Sequence, residues 1–124
     1  MYPTRIALAC LSRTCCINAG TTARGMQQVG LLFVLSPALC WLYPEGEARA
    51  RAFARYGGHS NTHPFMIPLF VGILLSLEEE IAKGALPELA VSSVRETLAT
   101  TLSALGDSFF SGTLLPLWAL LCVV

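Results

Sequence analysis

The side chains with chemistry to offer gather between Asn61 and Glu80. They comprise Asn61-Thr62-His63-Pro64, an apolar run from Phe65 to Leu77, and then Glu78-Glu79-Glu80. Amides, hydroxyls and carboxylates hydrogen-bond polyhydroxylated ligands, and an acidic block also suits a basic partner surface. His63 carries an imidazole, a group that can accept phosphate. Consecutive carboxylates on a helix point about 100° apart, so one or two at most can face a single site. The block is also unfavourable locally, because the negative end of a helix dipole disfavours anions by a few tenths to about 1 kcal/mol each. Farther on, Asp107 lies in a Gly106-Asp107-Ser108 step between apolar stretches. A polar helix start in such a setting can face a water-lined path.

Candidate substrate-contacting residues are therefore Asn61, Thr62, Glu78, Glu79, Glu80 and Asp107. Each also has a plainer role. Asn61, Thr62 and Asp107 can cap helices. The glutamates can form a charged edge beside a membrane segment, where burial without a partner is costly. His63, followed by Pro64, and His59, beside Gly57-Gly58, read as a structural and a loop histidine. Neither has an acid or nucleophile partner at a recognisable spacing, so no catalytic constellation is expected. The cysteines are Cys10, Cys15, Cys16, Cys40 and Cys122, an odd number without a C-x-x-C pair. That spacing supports neither a disulfide framework nor a metal site.

The elements that must position these groups are mostly apolar. The chain has 124 residues, enough for one domain, with 54% hydrophobic and 13% charged residues and no net charge. Its mean hydropathy is +0.61. Soluble domains carry about 25% charged residues, so this surface must meet lipid or protein. Nothing in the charge balance points to nucleic acid.

Residues 1–25 mix small apolar residues with Arg5, Arg13 and Arg24, and read as a flexible or surface-lying N-terminus. Met26 to Tyr43 is uncharged and ends in Trp41 and Tyr43, as a membrane-spanning helix does. A buried core helix of a larger assembly is the other reading. Pro37 lies within it, tolerable where a neighbour satisfies the carbonyl that proline frees. Pro44 to Arg55 reads as a short surface helix ending at Gly57-Gly58. Phe65 to Leu77 is short for a span, and reads as buried or re-entrant. Pro87 to Leu105 is predicted to be amphipathic, with Val91, Val94, Leu98, Leu102 and Leu105 on one face. Gly106-Asp107-Ser108 is expected to break that helix before the uncharged run Phe109–Val124. The fold class is all-α: a helical integral membrane protein with short, kinked or re-entrant apolar helices and amphipathic connecting helices.

These residues resemble one known family. Met26-Gln27, Gly30, Pro37, Leu42-Tyr43-Pro44, Asn61-Thr62-His63-Pro64-Phe65, Leu77-Glu78-Glu79-Glu80, Gly106-Asp107-Ser108-Phe109-Phe110, Gly112-Thr113 and Pro116 stand in its order and spacing. The chain is similar, from about Arg13 onward, to the IID membrane component of mannose/fructose/sorbose-type sugar phosphotransferase systems. The pattern departs from the family at Asn18 to Thr22, Thr100 to Ala104, Ser111 and Leu115. The resemblance implies one partial IID-like domain over 1–124, without the family's C-terminal membrane region. It further implies a multi-pass protein of the bacterial inner membrane, partnered by a IIC component and served by IIB and IIA phosphocarriers. On that reading the complex moves a hexose for phosphorylation by IIB, and this chain holds no phosphohistidine, cofactor or metal. The alternative is a truncated, non-transporting IID paralogue that binds or regulates IIC and IIB.

Overall fold

The computed structural model describes residues 2–123; Met1 and Val124, the ends of the expected domain and of the last apolar run, lie outside the described residues. The chain is all-α. In order come α1 (Thr4–Arg13), a 3-10 segment (Thr14–Gly20), α2 (Gln28–Leu42), α3 (Gly46–Arg55), a 3-10 turn (Pro64–Met66), α4 (Ile67–Ala82), α5 (Glu88–Gly106), a π-helical stretch (Asp107–Leu114) and α6 (Leu115–Val123). Among the described residues the only extended pairing is two isolated bridges, Thr22 with Met26 and Met26 with Ser60.

Helix α2 is the centre of the bundle, packed against α1, the first 3-10 segment, α3 and α4. Its 15 residues rise about 22 Å, less than the hydrocarbon thickness of about 30 Å. Gly30, Leu31, Val34, Leu35, Ala38 and Leu39 are buried on one face, while Val29, Phe33 and Trp41 remain about half exposed on the other. Gly30 sits directly under the Ile17 backbone, and a methyl group there would overlap the Ile17 carbonyl.

The first residues are ordered rather than loose. Helix α1 docks on α2 through fully buried Cys10. Arg13 explains how α2 keeps Pro37. A proline has no N–H to give the carbonyl four residues back, here that of Phe33. Arg13 Nη1 donates to Phe33 O at 3.1 Å and to Ser36 Oγ at 2.8 Å, and Ser36 Oγ also donates to Phe33 O. The guanidinium stands over the Phe33 ring, 4.6 Å from its centroid.

Helix α4 buries Ile67, Phe70, Val71, Leu74, Leu75 and Glu78, the three-and-four spacing of one helix face. The carboxylate of Glu78 is thus the last member of the core-facing stripe. In α5 the buried ridge is Val91, Arg95, Ala99, Leu102 and Gly106. This corrects the predicted leucine and valine face, because Val94 and Leu105 are 38% and 55% exposed. Ala99 and Gly106 let α5 approach its neighbours closely, while Val94 and Leu105 face outward, as in helices that meet lipid or a partner.

The expected break at Gly106-Asp107-Ser108 does not occur. The helix continues through a π-helical stretch, where Thr113 Oγ1 donates to Ser108 O five residues back. Pro116 follows within α6; it lacks an N–H for an α-helical bond, and its ring would crowd the carbonyl four residues back. A wider turn before it relieves both problems. The continuous helix from Glu88 to Val123 has 36 residues and spans about 54 Å. Its most apolar window is only 6% buried. This is the one helix among the described residues that is long and apolar enough to cross a membrane.

Candidate functional site

Gln27 assembles the site. The chain turns through Thr22 to Met26, closed by paired backbone hydrogen bonds of 3.0 Å, and Met26 adopts a left-handed φ of 51°. Gln27 N then donates to Ser60 O at 2.8 Å. Its buried side chain donates to Asn18 Oδ1 at 2.9 Å and to Thr62 O at 3.0 Å, and accepts from Thr62 N at 3.0 Å. One amide thereby fastens both polar groups of the Thr62 backbone. The Asn61–Pro64 loop is held to the start of α2.

Neither Asn61 nor Thr62 caps the following helical turn. His63 does, its Nδ1 accepting from Phe65 N at 3.4 Å. Asn61 is exposed, whereas Thr62 is 2% exposed and its Oγ1 has no hydrogen-bond partner among the described residues. A buried hydroxyl left unpaired costs about 1–3 kcal/mol, so this oxygen favours any hydroxyl group that enters.

Two polar cavities meet here. The larger, about 550 Å³, lies along α5 and is lined by His59, Asn61, Glu96, Ala99, Thr100, Ser103, Ala104 and Asp107. The smaller, about 240 Å³, reaches behind the loop, between Asn18, Thr21, Met26, Gln27, Thr62, His63 and Pro64, and shares Asn61, Ser103 and Asp107 with the first. The shared residues form the junction of one continuous polar groove. On the far side of His63 is an apolar cleft of about 430 Å³, walled by Phe65, Phe110, Leu114, Leu117, Trp118 and Leu121. Nearly all the groove's polar side chains are hydroxyls, amides and carboxylates. Such a set binds a hydroxyl-rich ligand through reversible hydrogen bonds.

The structure therefore brings Asn61, Thr62 and Asp107 together, and sets the three glutamates apart from all three cavities. Glu78 is fully buried and saturated. Its Oε1 accepts from Tyr56 OH at 2.7 Å and Arg55 Nε at 3.2 Å; its Oε2 accepts from Arg55 Nη2 and Tyr43 OH, both at 2.8 Å. Burial pushes the Tyr56 phenol well above its ordinary range, and the charge of Glu78 and its hydrogen bond push it further. Burial works against the charge on Arg55, but the hydrogen bond and charge of Glu78 outweigh it and raise its pKa. Arg55 Nη1 also reaches Glu88, the first residue of α5, at 2.9 Å. Glu79 and Glu80 pair with Lys83 at the end of α4, each at 3.0 Å.

Glu96, Thr100 and Ser103 escaped the sequence reading, whereas Asp107 did not. Glu96, Thr100, Ser103 and Asp107 recur at spacings of four, three and four, so they form one helical face. The periodicity was present, but the assumed break at Gly106 separated Asp107 from the rest. Gln27 stood in a motif without a role, because its partner Thr62 lies 35 positions away.

Similarity to known proteins places the chain in a family. The family model described as PTS system mannose/fructose/sorbose family IID component matches residues 5–124. The mannose-specific EIID component of Escherichia coli (strain K12) is 39% identical over 98 residues, covering 77% of this chain and 35% of that relative. The fructose permease IID component of Bacillus subtilis (strain 168) is 32% identical over 97 residues, with coverage of 77% and 35%. A cryo-electron microscopy structure of the mannose transporter ManYZ with microcin E492 contains a chain with a TM-score of 0.88 and 32% identity, matched over 98% of this chain and 45% of that one. A second solved structure, titled only as a membrane protein, matches with a TM-score of 0.82 and 32% identity over 96% of this chain and 44% of the other. The chain spans about a third of the length of these curated relatives (35%). By sequence and by fold, the chain belongs to the IID membrane components of the mannose/fructose/sorbose family of phosphotransferase systems.

Proposed function

We propose that this chain supplies part of the sugar path in a phosphoenolpyruvate-dependent phosphotransferase permease. It works with a IIC component in the bacterial inner membrane, as part of a multi-pass assembly. A hexose of the mannose, fructose or sorbose type passes through, and IIB, recharged by IIA, phosphorylates it. The carrying observation is the polar groove around Asn61, Thr62 and Asp107, set against a long helix whose exterior is apolar. Hydroxyl and amide groups there exchange hydrogen bonds with a sugar at little net cost, as transit requires. Asp107 adds the charge-assisted bond that orients it. Glu78 acts in the scaffold, and Glu79 and Glu80 belong to the charged end of α4.

The test is labelled-hexose uptake by the chain reconstituted with IIC and IIB partners. Asp107→Asn is expected to lower uptake about tenfold or more, the value of one charge-assisted hydrogen bond, with membrane insertion unchanged. Uptake equal to wild type would overturn the groove assignment. Binding to IIC with no flux from the wild-type chain would favour the non-transporting alternative.

A further inference from the structure

We propose that His63 is the positioning residue of the groove, holding the Asp107 carboxylate in place through its Nε2 edge. The inference rests on the sugar-path reading above.

The imidazole is gripped on every side. Its Nδ1 accepts from Phe65 N at 3.4 Å, which assigns the neutral ring's hydrogen to Nε2. That Nε2 stands 4.0 Å from Asp107 Oδ1. The distance is too long for a direct hydrogen bond, but close enough for the Nε2–H dipole to point its positive end at the carboxylate. The ring stacks nearly flat on Phe110, at 5.2 Å and 10°, and tilts against Phe65 at 5.6 Å. Gly106 leaves the space: a methyl group there would overlap His63 Cβ and Cγ.

One turn of helix thus offers a gap at Gly106, a carboxylate at Asp107 and an aromatic plate at Phe110, all to the same side chain. The His63 side chain is 10% exposed and that of Asp107 is 67% exposed. The buried member is therefore the fixed one and the exposed member is the one it orients. His63 also separates the polar groove from the apolar cleft, lining both. Among the described residues lining the smaller polar cavity and the apolar cleft, Asp107 is the one carboxylate; Glu96 and His59 line the larger polar cavity beyond it. Among the described residues, His63 is the one basic side chain within ion-pair distance of this carboxylate.

Two conservative variants separate the two edges of the ring. His63→Asn keeps an acceptor near the Nδ1 position, so it preserves the cap on Phe65, but it does not reach Asp107. His63→Gln keeps a donor near the Nε2 position and lacks the short-range cap. In the reconstituted IIC-containing complex, His63→Gln is expected to hold the uptake KM within about threefold of wild type, and His63→Asn to raise it about tenfold. The difference should vanish in an Asp107→Asn background, as coupled residues require. A purely structural histidine gives the opposite order, and equal KM values for the two variants would likewise overturn the proposal. Thermal melting of each variant complex removes folding from the comparison. Should either variant fail to assemble, Phe110→Leu takes its place: it spares both edges of the ring but frees it to swing. It is expected to raise KM several-fold, and an unchanged KM overturns the proposal. Loss of the Asp107→Asn effect itself would defeat the sugar-path reading rather than the role of His63.

Discussion

At the scale of single residues, the molecule spends its polar side chains on backbone groups that would otherwise be orphaned. Gln27 serves Thr62, and Arg13 serves the Phe33 carbonyl freed by Pro37. Both reach far along the chain, and Gln27 does so in the buried interior, where water cannot substitute. Gln27→Ala strands a buried N–H and a buried C=O at once. At about 1–3 kcal/mol per stranded group, the expected loss of stability is about 2–6 kcal/mol, with the Asn61–Pro64 loop released from α2. Thermal unfolding in detergent checks this; a loss below about 1 kcal/mol would mean the loop is held elsewhere. The motif pairing Met26-Gln27 with Asn61-Thr62-His63-Pro64 thereby acquires a physical reason: one half clamps the other.

At the scale of elements, one buried carboxylate ties four helical segments together. Glu78 on α4 binds Arg55 at the end of α3, Tyr56 just after it and Tyr43 at the end of α2; Arg55 extends the link to Glu88 at the start of α5. The Arg55 and Glu78 side chains are 9% and 0% exposed. Removing one partner of such a pair leaves an uncompensated buried charge, at about 3–5 kcal/mol. Arg55→Leu is therefore expected to cost that much, measured by unfolding in detergent. The double variant Arg55→Leu/Glu78→Leu should recover part of it, because apolar groups replace a buried ion pair at little cost, while the Tyr56 hydroxyl loses its acceptor. If the double variant is as unstable as the single one, the cluster's hydrogen bonds rather than its charge balance hold the ends of α2, α3 and α4. Since α5 carries the groove, the Arg55–Glu88 contact ties the start of that helix to the bundle.

At the scale of the whole molecule, a packed bundle of α1 to α4 carries a long helix that leaves most of its surface uncovered. Phe109, Leu115, Trp118, Leu120 and Leu121 are 57–69% exposed, with no charged residue beyond Asp107. Such a surface is stable only in lipid or against apolar protein. Trp118 reports which. In a Trp41→Phe chain reconstituted alone, brominated acyl chains are expected to quench the remaining tryptophan strongly, and addition of the IIC partner to reduce that quenching. Quenching that does not respond to acyl-chain bromination would place the helix outside the hydrocarbon.

The sequence by itself determined the class and the family, because composition and motif spacing are local, linear properties. It also carried the rule that three successive glutamates cannot share one site. Which glutamate turns inward was decided by tertiary structure: Glu78 alone falls in register with the α4 core face, opposite Arg55 and two tyrosines. Tertiary structure likewise decided that helix α5 runs on past Gly106. A glycine followed by Asp-Ser reads locally as a stop. In the fold it is the gap that admits His63, and helical hydrogen bonding resumes through a wider turn ahead of Pro116. The polar groove exists because that helix continues, placing Asp107 in line with Ser103, Thr100 and Glu96, beside a loop fastened 35 residues away by Gln27.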